Sequence, residues 1–289
     1  MIAAPATDNR YGAVLLLAAA AVFTADVTVL RFVDPSVPFA MVIFARSLSQ
    51  LVIVALWIAC TRPRLFTSRR WPMLVVRGLT SLVCWWLYYA SFQRLDLALA
   101  STLTFTTSLF VVALAPLVLG ERIGPLKALA TVLGFVGVVL ASNATDLTVD
   151  TGILFGLGSA MAAALLIFQN RVLARSEHTA TIMVWIGLVA TIGTLPAAVA
   201  GWTGLSLIDG LLLALAGTLA TLGMLLTVEA YRFGEVSSLA TYPYARILFA
   251  LATGYLVFGE LASLRELAGA AIIVICGLIA RERRRPAPL

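Results

Sequence analysis

Two short stretches decide the fold: LVLGER at Leu117–Arg122 and LVFGEL at Leu256–Leu261. The second repeats the first 139 positions later, and in both a glycine-glutamate step follows an apolar run. The longer stretch SFQRLDLALAS, which begins at Ser91, resembles AYRFGEVSSLA, which begins at Ala230, when a single gap is allowed. A similarity that spans half of the chain predicts two related units. The alternative is convergence of two stretches that are both rich in Leu, Ala and Gly.

The composition predicts an integral membrane protein. Of the 289 residues, 61% are hydrophobic and only 12% are charged, whereas an average soluble domain is about 25% charged. A helix needs about 20 consecutive apolar residues to cross the bilayer core, and ten such windows cover most of the chain. They are Gly12–Leu30, Pro38–Cys60, Trp71–Phe92, Leu97–Leu119, Gly124–Ala141, Gly152–Val172, Thr179–Gly201, Leu207–Ala230, Val236–Phe258 and Ser263–Ala280.

Ten spans in two related units assign five helices to each unit, residues 1–145 and residues 146–289. Because five is an odd number, the second unit must enter the membrane from the opposite side. The sequence therefore predicts an inverted repeat, an architecture of secondary transporters in which the substrate site lies near the midplane between the halves. Other identical pairs, 139 or 140 positions apart, support the repeat: Gly78 and Gly217, Gly12 and Gly152, Arg31 and Arg171.

The distribution of basic residues predicts the orientation. Lys and Arg accumulate in the cytoplasmic loops of membrane proteins. When both termini are placed in the cytoplasm, the inside segments hold fourteen of the twenty basic residues and the outside segments hold three. We therefore expect a multi-pass protein of a bacterial-type inner membrane with both termini inside.

The repeat and the glycine-glutamate steps resemble the drug/metabolite transporter superfamily, in particular its EamA-type ten-helix branch. The resemblance covers essentially the full chain and rests on the steps that end the fourth and ninth spans, on a proline in the ninth span and on a glycine in each following helix: Gly120-Glu121, Gly259-Glu260, Pro243, Gly137 and Gly277. The family often has a second proline in the fourth span. The first half departs from that pattern, because Thr104 is aligned with Pro243.

The resemblance implies transport of amino acids, nucleobases, sugars or drugs across the inner membrane, usually outward. The aromatic amino acid exporters of the family are the nearest match. The resemblance also implies a central cavity lined by spans one, three, four, six, eight and nine, and alternating access of one site to the two sides. The rival interpretations are a drug, nucleobase or sugar-derivative carrier of the same fold and a passive channel.

The stretch CWWLYYASF at Cys84–Phe92 predicts an aromatic wall. Trp85, Tyr88 and Tyr89 share one helical face with Phe92. Trp and Tyr favour the membrane surface, but Trp85 lies roughly 10 Å inside the expected end of the third span at 1.5 Å per residue. A cavity would supply partners for the polar atoms of these rings. The alternative is packing between helices.

The stretch TYPYAR at Thr241–Arg246 predicts a cationic site in the middle of the ninth span. Pro243 removes a hydrogen bond and kinks the helix. Tyr242 and Arg246 are four residues apart and share a face, and a charge at this depth needs water or a partner. We expect a substrate carboxylate as that partner, with a structural pair between Arg246 and Glu229 as the alternative.

Asp26 and Arg46 lie at similar depth in the first and second spans and form either an ion pair or part of a coupling site. Glu229, near the inner end of the eighth span, is a further candidate for coupling if it is buried, because burial raises the pKa of a carboxyl group. Thr104 and Thr107 are aligned with Pro243 and Arg246, and they either form the opposite wall of the site or bond to their own backbone.

Three other polar residues receive structural interpretations. Arg77 is expected to extend toward the inner surface, and Gln169 and Asn170 to cap the sixth span. The chain has no GxxxxGK[ST] phosphate loop, its single histidine is His178, and its three cysteines show no metal-binding spacing. We therefore expect no ATP, metal, cofactor, nucleic acid or enzymatic activity. The expected partners are a small-molecule substrate and the lipid bilayer.

Overall fold

The computed structural model describes residues 8–61, 63–92, 94–95, 102–121, 123–141, 151–202, 204–259, 261 and 263–280, and these residues contain no β-strand. They form ten main helices, which confirms the predicted all-α fold. The helices are α1 (Asn9–Leu30), α2 (Phe39–Thr61), α3 (Trp71–Phe92), α4 (Thr107–Leu119), α5 (Pro125–Ala141), α6 (Thr151–Ala174), α7 (Thr179–Ala200), α8 (Leu207–Phe233), α9 (Ala245–Phe258) and α10 (Leu264–Ala280). Residues 97–101 of the predicted fourth span and Glu260 lie outside the described residues.

Six helices in the described ranges are long and apolar enough to cross a membrane: α1, α2, α6, α7, α8 and the helical run Thr102–Leu119 that includes α4. Of the others, α3 has 22 residues and α5 and α10 have 17 each. Many large apolar side chains, including Leu117, Leu154 and Leu256, are exposed on the outside of the bundle. Such a surface suits contact with lipid, which is itself apolar.

Most of the extensive helix contacts have an equivalent when the two halves of the chain are exchanged. Helix α1 packs against α8 and α9, as α6 packs against α3 and α4, while α5 packs against α10. The glycines of one repeat pair illustrate this relation: a Cβ atom on Gly78 would meet Val189, and one on Gly217 would meet Ser49. Ser49 and Val189 are themselves 140 positions apart. Small residues at these positions let the helix backbones approach closely.

The two glycine-glutamate steps end α4 and α9 in the same way. Gly120 and Gly259 have φ angles of 67° and 68°, which lie in the left-handed region. Helices commonly end on such a glycine, because a side chain at this φ angle is strained. Each glycine therefore turns the chain sharply before the next helix of its half.

Glu121 connects the first half to the second. Its carboxylate accepts hydrogen bonds from the backbone N–H groups of Val236 (3.1 Å) and Ser237 (2.8 Å), which begin a short helix at Val236–Leu239. The first N–H groups of a helix have no partner within the helix, and a carboxylate is favourable at this end. Glu121 thus caps a helix that belongs to the other half of the chain.

Replacing Glu121 with alanine is expected to destabilise the protein by about 1–3 kcal/mol, because two buried N–H groups lose their acceptor. Glutamine should have a smaller effect, since its carbonyl oxygen still accepts one bond. The measurement is thermal unfolding in detergent, with Glu266→Ala as the control, because Glu266 accepts its bond from Ser263 at an exposed helix start. Equal decreases of the unfolding temperature for Glu121→Ala and Glu266→Ala would contradict the stabilising role of Glu121 as a cap of the short helix.

The bundle is closed at the end where α1 begins and α8 ends, which is called the closed end below. Here α1, α4, α6, α8 and the short helix share one apolar cluster: Ala13, Leu16, Val111, Ala115, Ala164, Phe168, Ala230, Tyr231, Val236, Leu239 and Ala240. Arg171 of α6 donates to the carbonyl oxygens of Tyr231 and Arg232, both at 2.8 Å. Helix α6 packs against α8, whereas α1 and α3, the equivalent pair, make no contact of comparable extent in the described ranges.

Candidate functional site

A break in the ninth span positions the central cation. The chain forms the short helix Val236–Leu239, then a 3-10 turn at Tyr242–Tyr244 that contains Pro243, and then α9. Tyr244 anchors the break, because its ring is fully buried and its hydroxyl donates to the carbonyl oxygen of Thr131 in α5 at 3.2 Å. Arg246 follows two residues later, at the first turn of α9.

The side chain of Arg246 is exposed although it lies in the middle of a span. Its guanidinium carbon is 5.9 Å from the ring centroid of Phe23 in α1. Tyr88 of α3, Arg46 of α2 and Asp26 of α1 interact with it electrostatically. Because residues of three other helices surround Arg246, its exposed surface faces the space between the helices, and the described residues offer its guanidinium no hydrogen bond or salt bridge.

Asp26 and Arg46 form an ion pair beside Arg246. Asp26 is 0% exposed, and its Oδ2 atom pairs with the guanidinium of Arg46, whose side chain is 30% exposed. The Oδ1 atom of Asp26 has no hydrogen-bond partner in the described part of the chain. Asp26, Arg46 and Arg246 together, called the charge cluster below, contain two cations and one anion. One additional carboxylate would neutralise the cluster.

Aromatic residues of α3 lie next to the charge cluster. Cys84 fixes this part of α3 against α6, since its backbone carbonyl accepts a hydrogen bond from the Ser159 hydroxyl at 2.9 Å. Trp85 and Tyr88 are half-buried, and Trp85 has no hydrogen-bonding or ring partner among the described residues. The side chain of Tyr89 lies outside the described part. The ring of Trp85 thus remains available to a solute in the bundle.

The fourth span is interrupted without a proline. A turn at Thr106 separates residues 102–105 from α4. The hydroxyls of Thr106 and Thr107 donate to the carbonyl oxygens of Leu103 and Thr104, each at 2.6 Å. Thr107 thus uses its donor on the backbone of its own span, across the turn, and Thr104 is half-buried. Their role as a wall of the site stays a prediction.

The contacts of Tyr242 and Glu229 are with residues other than Arg246. Tyr242 packs against the apolar cluster of the closed end, because the 3-10 turn interrupts the regular helix that its spacing to Arg246 assumes. The Oε2 atom of Glu229 is 3.3 Å from Nε of Arg232, and its Oε1 atom accepts a hydrogen bond from Thr179. The alternative pair between Glu229 and Arg246 is therefore wrong, since both oxygens of Glu229 are engaged at the end of α8.

Three side chains have other positions or partners than the sequence predicted, and a fourth was not identified from the sequence. Arg77 does not extend to the surface: it is 1% exposed, and its Nε atom donates to Oδ1 of Asn170 at 2.8 Å. Asn170 therefore bonds to α3 and does not cap α6, while Gln169 donates to Thr80 at 3.1 Å. Phe23 was not identified from the sequence, although its position three residues before Asp26 places both on one helical face.

Comparison with known proteins decides the family. The model of the EamA-like transporter family matches residues 10–143 and, a second time, residues 150–280. The chain belongs to the EamA-like transporter family.

Relatives of this EamA-like transporter carry named metabolites. The chain is 24% identical to an S-adenosylmethionine uptake transporter of Rickettsia bellii over 82% of its own length and 81% of that protein. It is 28% identical to the pseudopaline exporter of Pseudomonas aeruginosa, over 93% of its own length and 96% of that protein. A solved crystal structure superposes with a TM-score of 0.80 at 16% identity and covers 93% of this chain and 96% of the other.

The family assignment establishes the general class of the protein. EamA-like transporters consist of two repeats of five helices, and the relatives named above are transporters of small metabolites from bacteria. This chain is therefore a multi-pass membrane protein of a small-metabolite transporter family.

Proposed function

We propose that the protein is a secondary transporter that exports carboxylate-bearing amino acids, aromatic ones in particular, across the bacterial inner membrane. The observation that carries this proposal is the side chain of Arg246, which is exposed to the space between helices in the middle of a span. A cation at this depth is costly unless it faces water or a partner. A substrate carboxylate supplies that partner.

The charge cluster supports a monoanionic group as the ligand of Arg246. The positive charge of Arg46 is balanced by Asp26, so one positive charge, that of Arg246, remains. A bidentate carboxylate is the geometry that a guanidinium recognises best. The α-ammonium group of an amino acid would in turn be attracted to Asp26, whose Oδ1 atom has no hydrogen-bond partner in the described part of the chain.

The aromatic side chains support a ring-bearing substrate. Phe23, Trp85 and Tyr88 come from two helices that border the charge cluster. Offset or edge-to-face contacts between aromatic rings add about 0.5–1.5 kcal/mol beyond the burial of their area. A substrate with a carboxylate at one end and a ring at the other would satisfy both parts of the site.

The mechanism we propose is alternating access between two halves of opposite orientation, residues 1–145 and 146–289, with both termini in the cytoplasm. The closed end then faces the cytoplasm, and Arg246 is reached from the opposite side. Transport would need opening of the contacts between α6 and α8 and closure of the opposite end. No catalytic step is required, so we propose a carrier and not an enzyme or a channel.

S-adenosylmethionine is the second candidate substrate, because the chain is related to an uptake transporter of that compound along most of its length. Its methionine part carries a carboxylate that would also fit Arg246. Drugs, nucleobases and sugar derivatives without a carboxylate would leave this cation unpaired. Competition between these compounds separates the two candidates.

The experiment that tests the function is counterflow of labelled phenylalanine in liposomes that contain the purified protein. Unlabelled amino acids, S-adenosylmethionine, a nucleobase and a cationic dye serve as competitors. Saturable exchange that other amino acids block would support the proposal. If S-adenosylmethionine alone exchanged or competed, it would replace amino acids as the proposed substrate. Flux that does not saturate and shows no counterflow would indicate a channel.

Replacing Trp85 with alanine is expected to weaken transport of phenylalanine more than that of alanine, because a ring contact worth about 0.5–1.5 kcal/mol is lost only for the aromatic substrate. The measurement is the half-saturation concentration for each amino acid in the same liposomes. Trp202→Ala is the matched control, since Trp202 is exposed beyond the end of α7. Equal losses for both substrates would contradict the ring pocket.

A further inference from the structure

Arg77 is a buried cation whose partners among the described residues are neutral. The side chain is 1% exposed, and its hydrogen bonds go to the neutral side chains of Asn170 and Ser81. Within the described residues no Asp or Glu forms a salt bridge with it. Buried charges in proteins are normally paired or hydrogen-bonded to groups of opposite charge. The buried positive charge of Arg77, with neutral partners, is therefore unusual.

Arg77 lies on the same face of α3 as the candidate site. Arg77, Ser81 and Tyr88 follow the helical period, because they lie four and then seven positions apart. The eleven residues from Arg77 to Tyr88 correspond to roughly 16 Å along the helix. Tyr88 interacts with Arg246. Arg77, Ser81 and Tyr88, called the polar stripe below, therefore extend along α3 from the buried cation Arg77 toward the exposed cation Arg246.

The contacts of the closed end cover the Arg77 end of this stripe. Leu74, one turn before Arg77, shares an apolar cluster with Leu173 of α6 and Val228 of α8. The packing of α6 against α8 has no counterpart of comparable extent between α1 and α3 in the described ranges. If α6 and α8 separated, α8 would no longer cover the Arg77 end of the polar stripe, and water would reach Arg77.

We propose that Arg77 is a second anion-binding subsite, which holds the substrate's carboxylate when the closed end opens. The inference rests on the proposed function for the identity of the anion. Arg246 in the second half binds the carboxylate in the conformation described here, and Arg77 in the first half binds it in the opposite conformation. Asn170 and Ser81 hold the guanidinium in place while no substrate is bound.

The test measures the charge preference of a cysteine placed beside Arg77. Cys60, Cys84 and Cys276 are the three cysteines of the chain, and their replacement by alanine gives a background for the single variant Ser81→Cys. Everted membrane vesicles and intact cells are treated with an anionic and a cationic methanethiosulfonate reagent of similar size. A second single variant, Ser176→Cys in the connector between α6 and α7, identifies the membrane side of the closed end.

The expected result is reaction of Ser81→Cys from the side of the closed end, with the anionic reagent faster by about tenfold or more, since a fixed cation raises the local concentration of anions. Arg77→Gln in the same background should abolish this preference, and Arg77→Lys should retain it. Phenylalanine should slow the reaction. A cysteine that does not react from that side, or the same preference with and without Arg77, would overturn the proposal.

This readout separates the two proposals. If phenylalanine is not transported but the anion preference depends on Arg77, the substrate assignment fails and the anion subsite stands. If phenylalanine is exchanged but Arg77 has no influence on labelling, the proposed function stands and Arg77 is a structural residue. Because Arg77 is unchanged in the single variant Ser81→Cys, its anion preference can be measured even if the variants of Arg77 fold poorly.

Discussion

Replacing Arg246 with glutamine is expected to raise the half-saturation concentration for phenylalanine by about ten- to a hundredfold. A hydrogen bond to a charged group contributes about 1.5–3 kcal/mol, and each 1.4 kcal/mol corresponds to a factor of about ten in affinity. Glutamine keeps a hydrogen-bond donor but removes the charge that the carboxylate requires. The measurement is the concentration dependence of counterflow in liposomes.

Two controls make the Arg246 result specific. Arg265→Gln removes a cation from the exposed start of α10 and should leave the kinetics within about twofold, because exposed charges contribute little. Phenylethylamine, which has the ring but no carboxylate, should compete with phenylalanine at least as well in Arg246→Gln as in the wild type. Unchanged phenylalanine kinetics in Arg246→Gln would assign this residue a structural role.

Replacing Asp26 with asparagine is expected to destabilise the protein by about 3–5 kcal/mol, the range found when one partner of a buried ion pair is removed. The variant leaves the two cations Arg46 and Arg246 next to each other without an anion. The measurement is thermal unfolding in detergent. Asp34→Asn is the matched control, because Asp34 is exposed in the connector between α1 and α2 and accepts a bond from the Ser36 N–H that asparagine can also accept.

A double-mutant cycle identifies the source of the Asp26 effect. When Arg46→Gln is added to Asp26→Asn, one of the two unpaired cations disappears and its repulsion of Arg246 is removed, so the double variant should be more stable than Asp26→Asn alone. Partners in one ion pair show such coupling, whereas distant sites add independently. Additive losses in the double variant would show that Asp26 stabilises the fold through contacts other than Arg46.

The helices could be predicted from the sequence because their signal is local. The apolar window Trp71–Phe92 coincides with α3, and the window Leu207–Ala230 falls short of the end of α8 by three residues. The glycine-glutamate steps also carry local information, since a glycine with positive φ ends a helix irrespective of its distant neighbours. Hydrophobic length and turn chemistry therefore determine where the helices of this chain begin and end.

Apart from the ion pair between Asp26 and Arg46, which was one of two predicted alternatives, the partners of the charged side chains were not predicted, because they depend on how the helices rotate and dock. Glu229 bonds to Arg232 and Thr179 at the end of α8. The spacing of three residues favours the contact with Arg232 on the same helix, but nothing in the sequence indicates Thr179 as a partner. Arg77 could reach the membrane surface by its length alone, but the packing of α3 against α6 turns it toward Asn170. Phe23 gains its place beside Arg246 only when α1 meets α9.

The hydrogen bonds of Arg171 and Glu121 at the closed end affect which substitutions this end tolerates. Arg171 and Glu121 contribute side chains, but both are received by main-chain atoms of the second half, the carbonyl groups of residues 231 and 232 and the N–H groups of residues 236 and 237. Any residue other than proline supplies the same main-chain atoms. As far as these four bonds are concerned, the side chains at positions 231, 232, 236 and 237 can change without loss of a bond, whereas a change of Arg171 or Glu121 removes two bonds at once.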